Sequence, residues 1–233
     1  MNWILLLFLS TAVAYWVYYQ LTHFTQALAK EIYQAYHAVF LIEETPRLFE
    51  QQAMNIRLQR IKCGHFWQYF VAFTGVFFTC YFWREDFYQA VHFGLYFSLL
   101  FYIAALDWHY HLISPQSCQG LLVLGVVGSW FGLNGLSIEE SIQSALIGFL
   151  TFYILYWLAK CYYRQEALGR GDYWLMLGLG SMLHWQHFPL LVLIACIVGL
   201  GYVLWGKYQQ RRIDEVPFGS FLCVSEAILL VSQ

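Results

Sequence analysis

Apolar runs long enough to cross a bilayer recur along almost the whole chain. Of its 233 residues, 60% are hydrophobic and only 11% are charged, whereas soluble domains have roughly 45–50% apolar and about 25% charged residues. A membrane-spanning helix needs about 20 mainly apolar residues. The predicted spans, of which the sixth and eighth are short, are Trp3–Tyr19, Phe66–Trp83, Tyr88–Leu106, Cys118–Leu133, Ile142–Tyr162, Tyr173–His184, Phe188–Trp205 and Phe218–Val231. The sequence therefore predicts an all-α, polytopic membrane protein with about eight transmembrane helices in a single transmembrane domain, 1–233.

The basic residues are distributed asymmetrically between the predicted loops. Eleven of the 12 lysines and arginines lie between spans one and two, five and six, or seven and eight, counting Lys160 at the end of the fifth span, and Arg84 alone lies on the opposite side. Loops rich in Lys and Arg stay on the cytoplasmic side of a membrane. The distribution therefore predicts that segments 20–65, 163–172 and 206–216 are cytoplasmic and that both termini are extracytoplasmic.

Residues 20–65 form the only long hydrophilic segment. Its tyrosines, glutamines and mixed charges predict a helical or amphipathic cytoplasmic hairpin. The segment is too short to be an independent catalytic module, so it is interpreted as a loop region of the transmembrane domain.

Net charge and cysteine spacing exclude several classes of function. A formal net charge of −2 leaves no polybasic surface, which excludes nucleic acid as a partner. The six cysteines include no C-x-x-C pair, so neither zinc-ribbon nor thioredoxin chemistry has its spacing. Asp107, His109 and His111 could in principle ligate a metal, but residues two apart point in different directions on a helix. We therefore predict no metal site and no structural zinc.

Two of the four aspartates lie at predicted helix ends. Asp86 and Asp214 fall in charged loops, where solvated side chains are the ordinary explanation. Asp107 ends the third span and Asp172 opens the sixth, so in the predicted topology they could meet at one depth, at the cytoplasmic ends of their helices. Ionisable groups at membrane depth are costly and are functional by default. Glu226, inside the last span, is expected to be a hydrogen-bond partner or a tuning charge.

A pair of neighbouring carboxylates supports a specific chemistry. The two groups do not readily ionise together, so one holds a proton while the other acts as a base, and the pair can activate water for attack on a peptide carbonyl. Gly169 and Gly171 precede Asp172, and a residue without Cβ lets a substrate or a helix approach the carboxylate closely. The alternative for each aspartate alone is structural, with Asp172 as a helix N-cap and Asp107 as the point where its helix leaves the bilayer.

Three sequence blocks resemble one protein family. Residues 166–178, EALGRGDYWLMLG, contain a G-x-G-D signature and resemble the E-A-x-G-x-G-D-x-K-L-x-x-x-x-G block of bacterial type IV prepilin leader peptidases. Residues 105–107, ALD, with the apolar run LLVLG at 121–125, resemble that family's D-x-D-x-x-x-I-P-D segment and the helix after it. Residues 216–222, VPFGSFL, resemble its I-P-F-G-P-F-L motif. The blocks occur in order, which delimits an expected aspartyl peptidase core at 100–225.

Resemblance to this family implies an aspartic endopeptidase with Asp107 and Asp172 as its catalytic pair. The residues expected to shape the substrate groove are Gly169, Gly171, Pro217, Phe218 and Gly219. The implied substrates are type IV prepilin or pseudopilin precursors, whose short basic leader is removed at the cytoplasmic face of the bacterial inner membrane. The peptidase reaction implies no cofactor, and membrane lipids are the other expected partners.

Several positions depart from the family pattern. His109 stands where the family has a second aspartate, I-S-P at 113–115 replaces I-P-D, and Trp174 replaces a lysine. The zinc-binding cysteine pairs of the family's N-terminal part are missing, with only C-G-H at 63–65 in that neighbourhood. Many members use that part to N-methylate the cleaved product with S-adenosylmethionine. S-adenosylmethionine is therefore expected as a cofactor only if methylation is retained.

Two other interpretations stay open. A small membrane transporter or channel could use Asp107 and Asp172 as cation or proton sites, although such sites usually lie near the bilayer midplane. A catalytically idle relative that assists pilus assembly is the other interpretation, although both aspartates are intact.

Overall fold

The computed structural model describes residues 2–39, 64–84, 86–164, 168–210 and 216–232. Within them the chain forms eight α-helices and one 3₁₀ turn, which confirms the predicted all-α class. The helices are α1 (Asn2–Val39), α2 (Phe66–Arg84), α3 (Phe87–Tyr110), α4 (Pro115–Trp130), α5 (Ile138–Tyr163), α6 (Arg170–Leu179), α7 (Phe188–Tyr208) and α8 (Phe218–Ser232), with the 3₁₀ turn Trp185–His187 before α7. The predictions that concern residues 40–63, including Cys63, and Asp214 lie outside the described residues.

Helix positions follow the predicted apolar runs closely, and the largest difference is the end of α1. The predicted span ended at Tyr19, but α1 continues to Val39 as a helix of 38 residues. No glycine or proline occurs between residues 2 and 39, so nothing in this stretch interrupts the helix. The first part of the hydrophilic segment 20–65 is therefore helical.

Among the described residues, four segments are long and apolar enough to cross a membrane. They are Trp3–Ile32, Phe87–Tyr110, Ile138–Tyr163 and Trp185–Tyr208. The apolar helix α8 is shorter, and α6 has only 10 residues, which cover about 15 Å of a hydrocarbon core that is about 30 Å thick. The chain is thus a polytopic helical membrane protein, while eight complete crossings belong to the proposal below.

Two compact units divide the chain, residues 1–75 and 76–233. In the first unit α1 packs against the start of α2, because the ring of Tyr18 makes edge-on contacts with those of Phe66 and Tyr69, at centroid distances of 5.9 and 5.5 Å. The second unit contains α3 to α8 and therefore both aspartates at helix ends.

In the second unit the short helix α6 packs closely against α4 and α5. A Cβ on Gly178 would lie 2.8 Å from both the Cys118 carbonyl oxygen and the Leu121 Cβ, so only glycine permits this contact with α4. Towards α5, Tyr173 contacts the ring of Phe149 edge-on, with the centroids 5.5 Å apart. These contacts hold α6 between two longer helices.

Three helix ends of the second unit meet at one place. The loop of residues 111–114 joins α3 to α4, and its Ile113 contacts the first turns of both α6 and α8. The C-terminal end of α3 also contacts the first turn of α8 through a hydrogen bond. The sequence-distant starts of α6 and α8 are thereby brought next to the end of α3.

Candidate active site

Asp107 lies in the last turn of α3 and is only 5% exposed. Its Oδ2 accepts a hydrogen bond from the Ser220 backbone N–H at 2.6 Å, and the Ser220 hydroxyl lies 2.9 Å from the same oxygen. That hydroxyl is also 2.9 Å from the Ala104 carbonyl oxygen, so its single proton can be donated to either acceptor. Hydrogen bonds to an ionised carboxylate are shorter and stronger than neutral ones. Ser220 of α8 therefore anchors the Asp107 carboxylate of α3.

The local sequence explains why α8 offers this donor. The residue before α8 is Pro217, whose side chain has no oxygen to accept the free N–H groups of the first helical turn. Ser220 is the third residue of α8, so its N–H is one of these free groups, and it donates to Asp107 instead. The positive end of the helix dipole further favours negative charge at this position.

Asp172 is the third residue of α6 and is likewise 5% exposed. Its Oδ2 accepts a hydrogen bond from the Gly169 N–H at 3.2 Å, and its own N–H donates to the Gly169 carbonyl oxygen at 3.2 Å. Gly169 occupies the N-cap position, so Asp172 supplies the returning half of a capping box rather than the N-cap itself. The carboxylate is thus held at the start of its own helix.

One apolar side chain connects the elements that carry the two aspartates. A Cβ on Gly171 would lie 2.6 Å from Ile113 Cβ, and a Cβ on Gly219 would lie 2.6 Å from Ile113 Cδ1 and 3.1 Å from Asp107 Oδ2. Close-packed interiors do not accommodate such approaches, so a side chain at either position would displace Ile113. The two glycines therefore let α6 and α8 pack against the loop after α3.

The Asp107 and Asp172 carboxylates are close enough to interact electrostatically. Two buried free cysteines, Cys118 of α4 and Cys223 of α8, are also within electrostatic range of the pair. Neighbouring carboxylates do not readily ionise together, so such a pair holds one proton. This arrangement can supply one acid and one base to the same reacting bond.

The other residues predicted from the sequence differ in their access to solvent. Gly169 is exposed, Phe218 is half-buried and Pro217 is buried. His109 and His111 are exposed, and the described part of the chain contains no group of three His, Cys, Asp or Glu side chains that could hold a metal ion.

A second buried carboxyl group lies further along α8. Glu226 is completely buried, and its Oε1 accepts a hydrogen bond from the Tyr96 hydroxyl of α3 at 3.4 Å. Its Oε2 has no hydrogen-bond partner among the described residues. Glu226 is therefore a hydrogen-bond partner between two helices, as expected from its position in the last span.

Three residues of this region lack a clear sequence signature. Ser220 stands where the resembled I-P-F-G-P-F-L motif has a proline, and this departure is the only available signal for its contact with Asp107. Ile113 matches the isoleucine of the family's I-P-D motif, which does not indicate what it contacts, and Tyr96 carries no signal, because aromatic residues occur throughout such helices. Their contacts join residues that are far apart in the sequence, so the structure is needed to find all three.

The fold and the site together define a class of protein: a polytopic helical membrane protein whose buried centre is a pair of interacting aspartates. Residues 94–204 match the type IV leader peptidase family, and this stretch contains α4, α5, α6 and both aspartates. No solved structure matches the chain.

Similar proteins have names that agree with this match. A Haemophilus influenzae protein named prepilin leader peptidase/N-methyltransferase is 37% identical over 217 residues, which cover 93% of this chain and 90% of the relative. Proteins of the same name from Escherichia coli K12 and Pseudomonas aeruginosa are 30% and 29% identical, and the matches cover 58% and 55% of this chain and 60% and 45% of those relatives. The chain belongs to the type IV leader peptidase family, a family of aspartic peptidases, which confirms the resemblance seen in its sequence.

Proposed function

We propose that this protein removes the short basic leader of type IV prepilin or pseudopilin precursors at the cytoplasmic face of the bacterial inner membrane. The observation that carries the proposal is the pair of buried, interacting aspartates, Asp107 and Asp172, inside the segment that matches the family. Membership of a peptidase family favours hydrolysis over a cation or proton pathway through the same carboxylates. The presence of both carboxylates favours an active enzyme over an idle assembly factor.

The chemistry needs two carboxyl groups and one water molecule. The ionised aspartate takes a proton from water while the water oxygen attacks the carbonyl carbon of the scissile peptide bond, and the protonated aspartate gives its proton to the carbonyl oxygen. When the C–N bond of the tetrahedral intermediate breaks, the first aspartate passes its proton to the leaving amine. The second aspartate recovers a proton from a hydroxyl of the intermediate. The peptidase reaction therefore needs no cofactor.

The predicted groove residues divide into two groups in this proposal. Gly169 and Phe218 are accessible and lie at the starts of α6 and α8, so we assign them to substrate contact. Gly171 and Gly219 make room for the loop after α3, and Pro217 is buried. We assign these three to support of the site from the inside.

The proposed topology has eight membrane helices, cytoplasmic segments at 20–65, 163–172 and 206–216, and both termini outside. It is supported by 11 of the 12 basic residues, since ten lie in these three segments and Lys160 lies three residues before the second of them. Exposed apolar side chains on α1, α5 and α7 then contact membrane lipids, the other proposed partner. Cysteines introduced at positions 57 and 211 should react from the cytoplasmic side, and reaction of position 211 from outside would contradict this topology.

Methylation of the cleaved product is a separate activity. The names of the relatives include an N-methyltransferase, and S-adenosylmethionine is the methyl donor expected for it. Residues 40–63, which fall in the N-terminal part associated with that reaction, lie outside the described residues. We therefore assign no residue of this chain to methyl transfer.

Co-expression with a type IV prepilin, in a host that lacks its own leader peptidase, tests the proposal. Intact-mass spectrometry of the pilin should show loss of the leader only when this chain is present, and the same spectrum reads any added methyl group. An unprocessed prepilin beside a normally inserted chain would refute the peptidase function. Proton or cation uptake by vesicles that contain the chain would then support the transporter.

A further inference from the structure

The carboxylates of Asp107 and Asp172 are equally buried but have unequal hydrogen-bond donors. Each residue is 5% exposed. Oδ2 of Asp107 accepts from the Ser220 N–H at 2.6 Å and lies 2.9 Å from the Ser220 hydroxyl, whose proton it shares with the Ala104 carbonyl oxygen, whereas Oδ2 of Asp172 accepts from the Gly169 N–H at 3.2 Å. More and shorter hydrogen bonds favour the charged form of a carboxyl group. The two carboxylates are therefore equally buried but differ in their hydrogen-bond donors.

Two cysteines and a histidine among the described residues also act on the pair. Cys223 of α8 interacts with both carboxylates, and Cys118 of α4 interacts with Asp172. His111, directly after α3, acts on Asp107, where any positive charge on the imidazole adds to the effect of the two donors. Asp172 lies at the start of α6 and Asp107 faces the start of α8, which favours the charged form of both carboxylates, whereas the C-terminal end of α3, which carries Asp107, acts on that carboxylate in the opposite sense.

We propose that Ser220 is a positioning residue that assigns the roles within the pair, by holding Asp107 as the ionised base and leaving Asp172 as the protonated acid. Water then gives its proton to Asp107 as its oxygen bonds to the scissile carbonyl carbon, and Asp172 protonates the carbonyl oxygen. When the C–N bond breaks, Asp107 protonates the leaving amine, and a hydroxyl of the intermediate returns a proton to Asp172. This inference rests on the proposed peptidase function and adds the direction of proton transfer.

The test is the pH profile of kcat/KM for leader cleavage by the purified full chain in detergent micelles, with a purified type IV prepilin as substrate. The acidic limb of such a profile reports the base of the free enzyme, and the basic limb reports its acid. Ser220→Ala removes the hydroxyl donor and keeps the N–H. Ser220→Pro removes both donors at a place that tolerates proline, because it lies in the first turn of α8.

Loss of donors should move the acidic limb to higher pH. A carboxylate that has lost hydrogen bonds takes up a proton more readily, so the base is protonated at a higher pH than in the wild type. We expect a shift of about one pH unit for Ser220→Ala and about two for Ser220→Pro, with little change in the basic limb. Ser220→Thr keeps both donors and should retain the wild-type profile.

Ser225→Ala is the matched control, because Ser225 is a fully buried serine of the same helix whose hydroxyl donates to the Phe221 carbonyl oxygen at 2.7 Å. This variant should leave both limbs in place. A shift of the basic limb instead of the acidic one, or a uniform loss of rate with both limbs unmoved in the Ser220 variants, would overturn the inference. If Ser220→Pro does not accumulate, Ser220→Ala and Ser220→Thr decide.

Failure of the inference is distinguishable from failure of the proposed function. A wild-type chain that does not cleave prepilin refutes the function. A wild-type chain that cleaves, and whose pH limbs do not respond to Ser220, refutes only the assignment of roles.

Discussion

Asp172, in the first turn of α6, and Asp107, at the end of α3 beside the first turn of α8, both lie next to a helix start, but they are attached to the fold in different ways. Asp172 is bound by Gly169, three residues earlier in the chain, whereas Asp107 is bound by Ser220, 113 residues later. The contact between Gly169 and Asp172 needs only that α6 begins at Arg170. The contact between Ser220 and Asp107 needs α8 to be docked against α3. The two halves of the site can therefore be disturbed separately, through the first turn of α6 or through the position of α8.

Alanine at Gly171 and Gly219 should have the largest effect among changes that separate the two halves. At Gly171 the new Cβ meets Ile113 Cβ at 2.6 Å, which is fixed to the backbone. At Gly219 it meets the terminal Cδ1 at 2.6 Å, which can move, and approaches Asp107 Oδ2 at 3.1 Å. Overpacking costs about 1–3 kcal/mol, so Gly171→Ala should lower the cleavage rate by about tenfold or more, and Gly219→Ala by less.

Ile113→Val sharpens this contrast, because it removes Cδ1 and keeps Cβ. Added to each glycine variant, it should partly restore cleavage by Gly219→Ala and fail to restore Gly171→Ala. Gly201→Ala in α7 is the control, since no atom lies within 4 Å of its new Cβ. If Ile113→Val restored cleavage equally in both glycine variants, the contacts of Ile113 would not explain a difference between the starts of α6 and α8.

At Gly169, the part of the effect of proline that acts through Asp172 should be smaller. The φ of Gly169 is −66°, which proline adopts without strain, and the substitution removes the N–H that donates to Asp172 at 3.2 Å. Gly169→Ala keeps that N–H and adds a comparable Cβ, so the ratio of the two cleavage rates isolates one long hydrogen bond. We expect a ratio of about two to ten. A ratio well above ten would contradict the unequal support of the two aspartates.

Removal of the Tyr96 hydroxyl should have the smallest effect on cleavage. Its hydrogen bond to Glu226 is long, at 3.4 Å, and hydrogen bonds between membrane helices contribute about 0.6 kcal/mol on average. Tyr96→Phe also leaves the buried Glu226 carboxyl without a hydrogen-bond donor among the described residues, so it should lower the free energy of unfolding by about 1–3 kcal/mol, read from the unfolding midpoint in detergent, and change the cleavage rate less than twofold. Loss of cleavage with an unchanged midpoint would instead place Glu226 in the chemistry.

Helix positions could be predicted well from the sequence because apolar length and polar interruptions determine them locally. The seven helices α2 to α8 begin at or within four residues of the predicted starts. α1 departs from this rule, since its polar second half from Gln20 onwards was interpreted as loop, yet it contains no helix breaker. Hydropathy marks where a membrane segment ends, and it does not mark where a helix ends.

The candidate site could be predicted only in part. The two aspartates were identifiable because carboxylates are rare in apolar helices and the G-x-G-D block lies in one stretch. The Ser220 donors and the position of Ile113 between two glycines depend on which helices dock against each other. Contacts between docked helices leave no periodic pattern in the sequence, so only the fold reveals them.

The central claim is that Asp107 and Asp172 act as one acid–base pair, and the most direct measurement is the rate of leader cleavage by Asp107→Asn and by Asp172→Asn, normalised to inserted protein. An amide is nearly isosteric with a carboxyl group but neither gives nor accepts the proton, so each variant should lose about 10²- to 10⁴-fold in rate with unchanged membrane accumulation. Asp86→Asn, at an exposed position before α3, is the matched control and should cleave at nearly the wild-type rate, as should Asp214→Asn. Substantial cleavage by either Asp107→Asn or Asp172→Asn would contradict the pair.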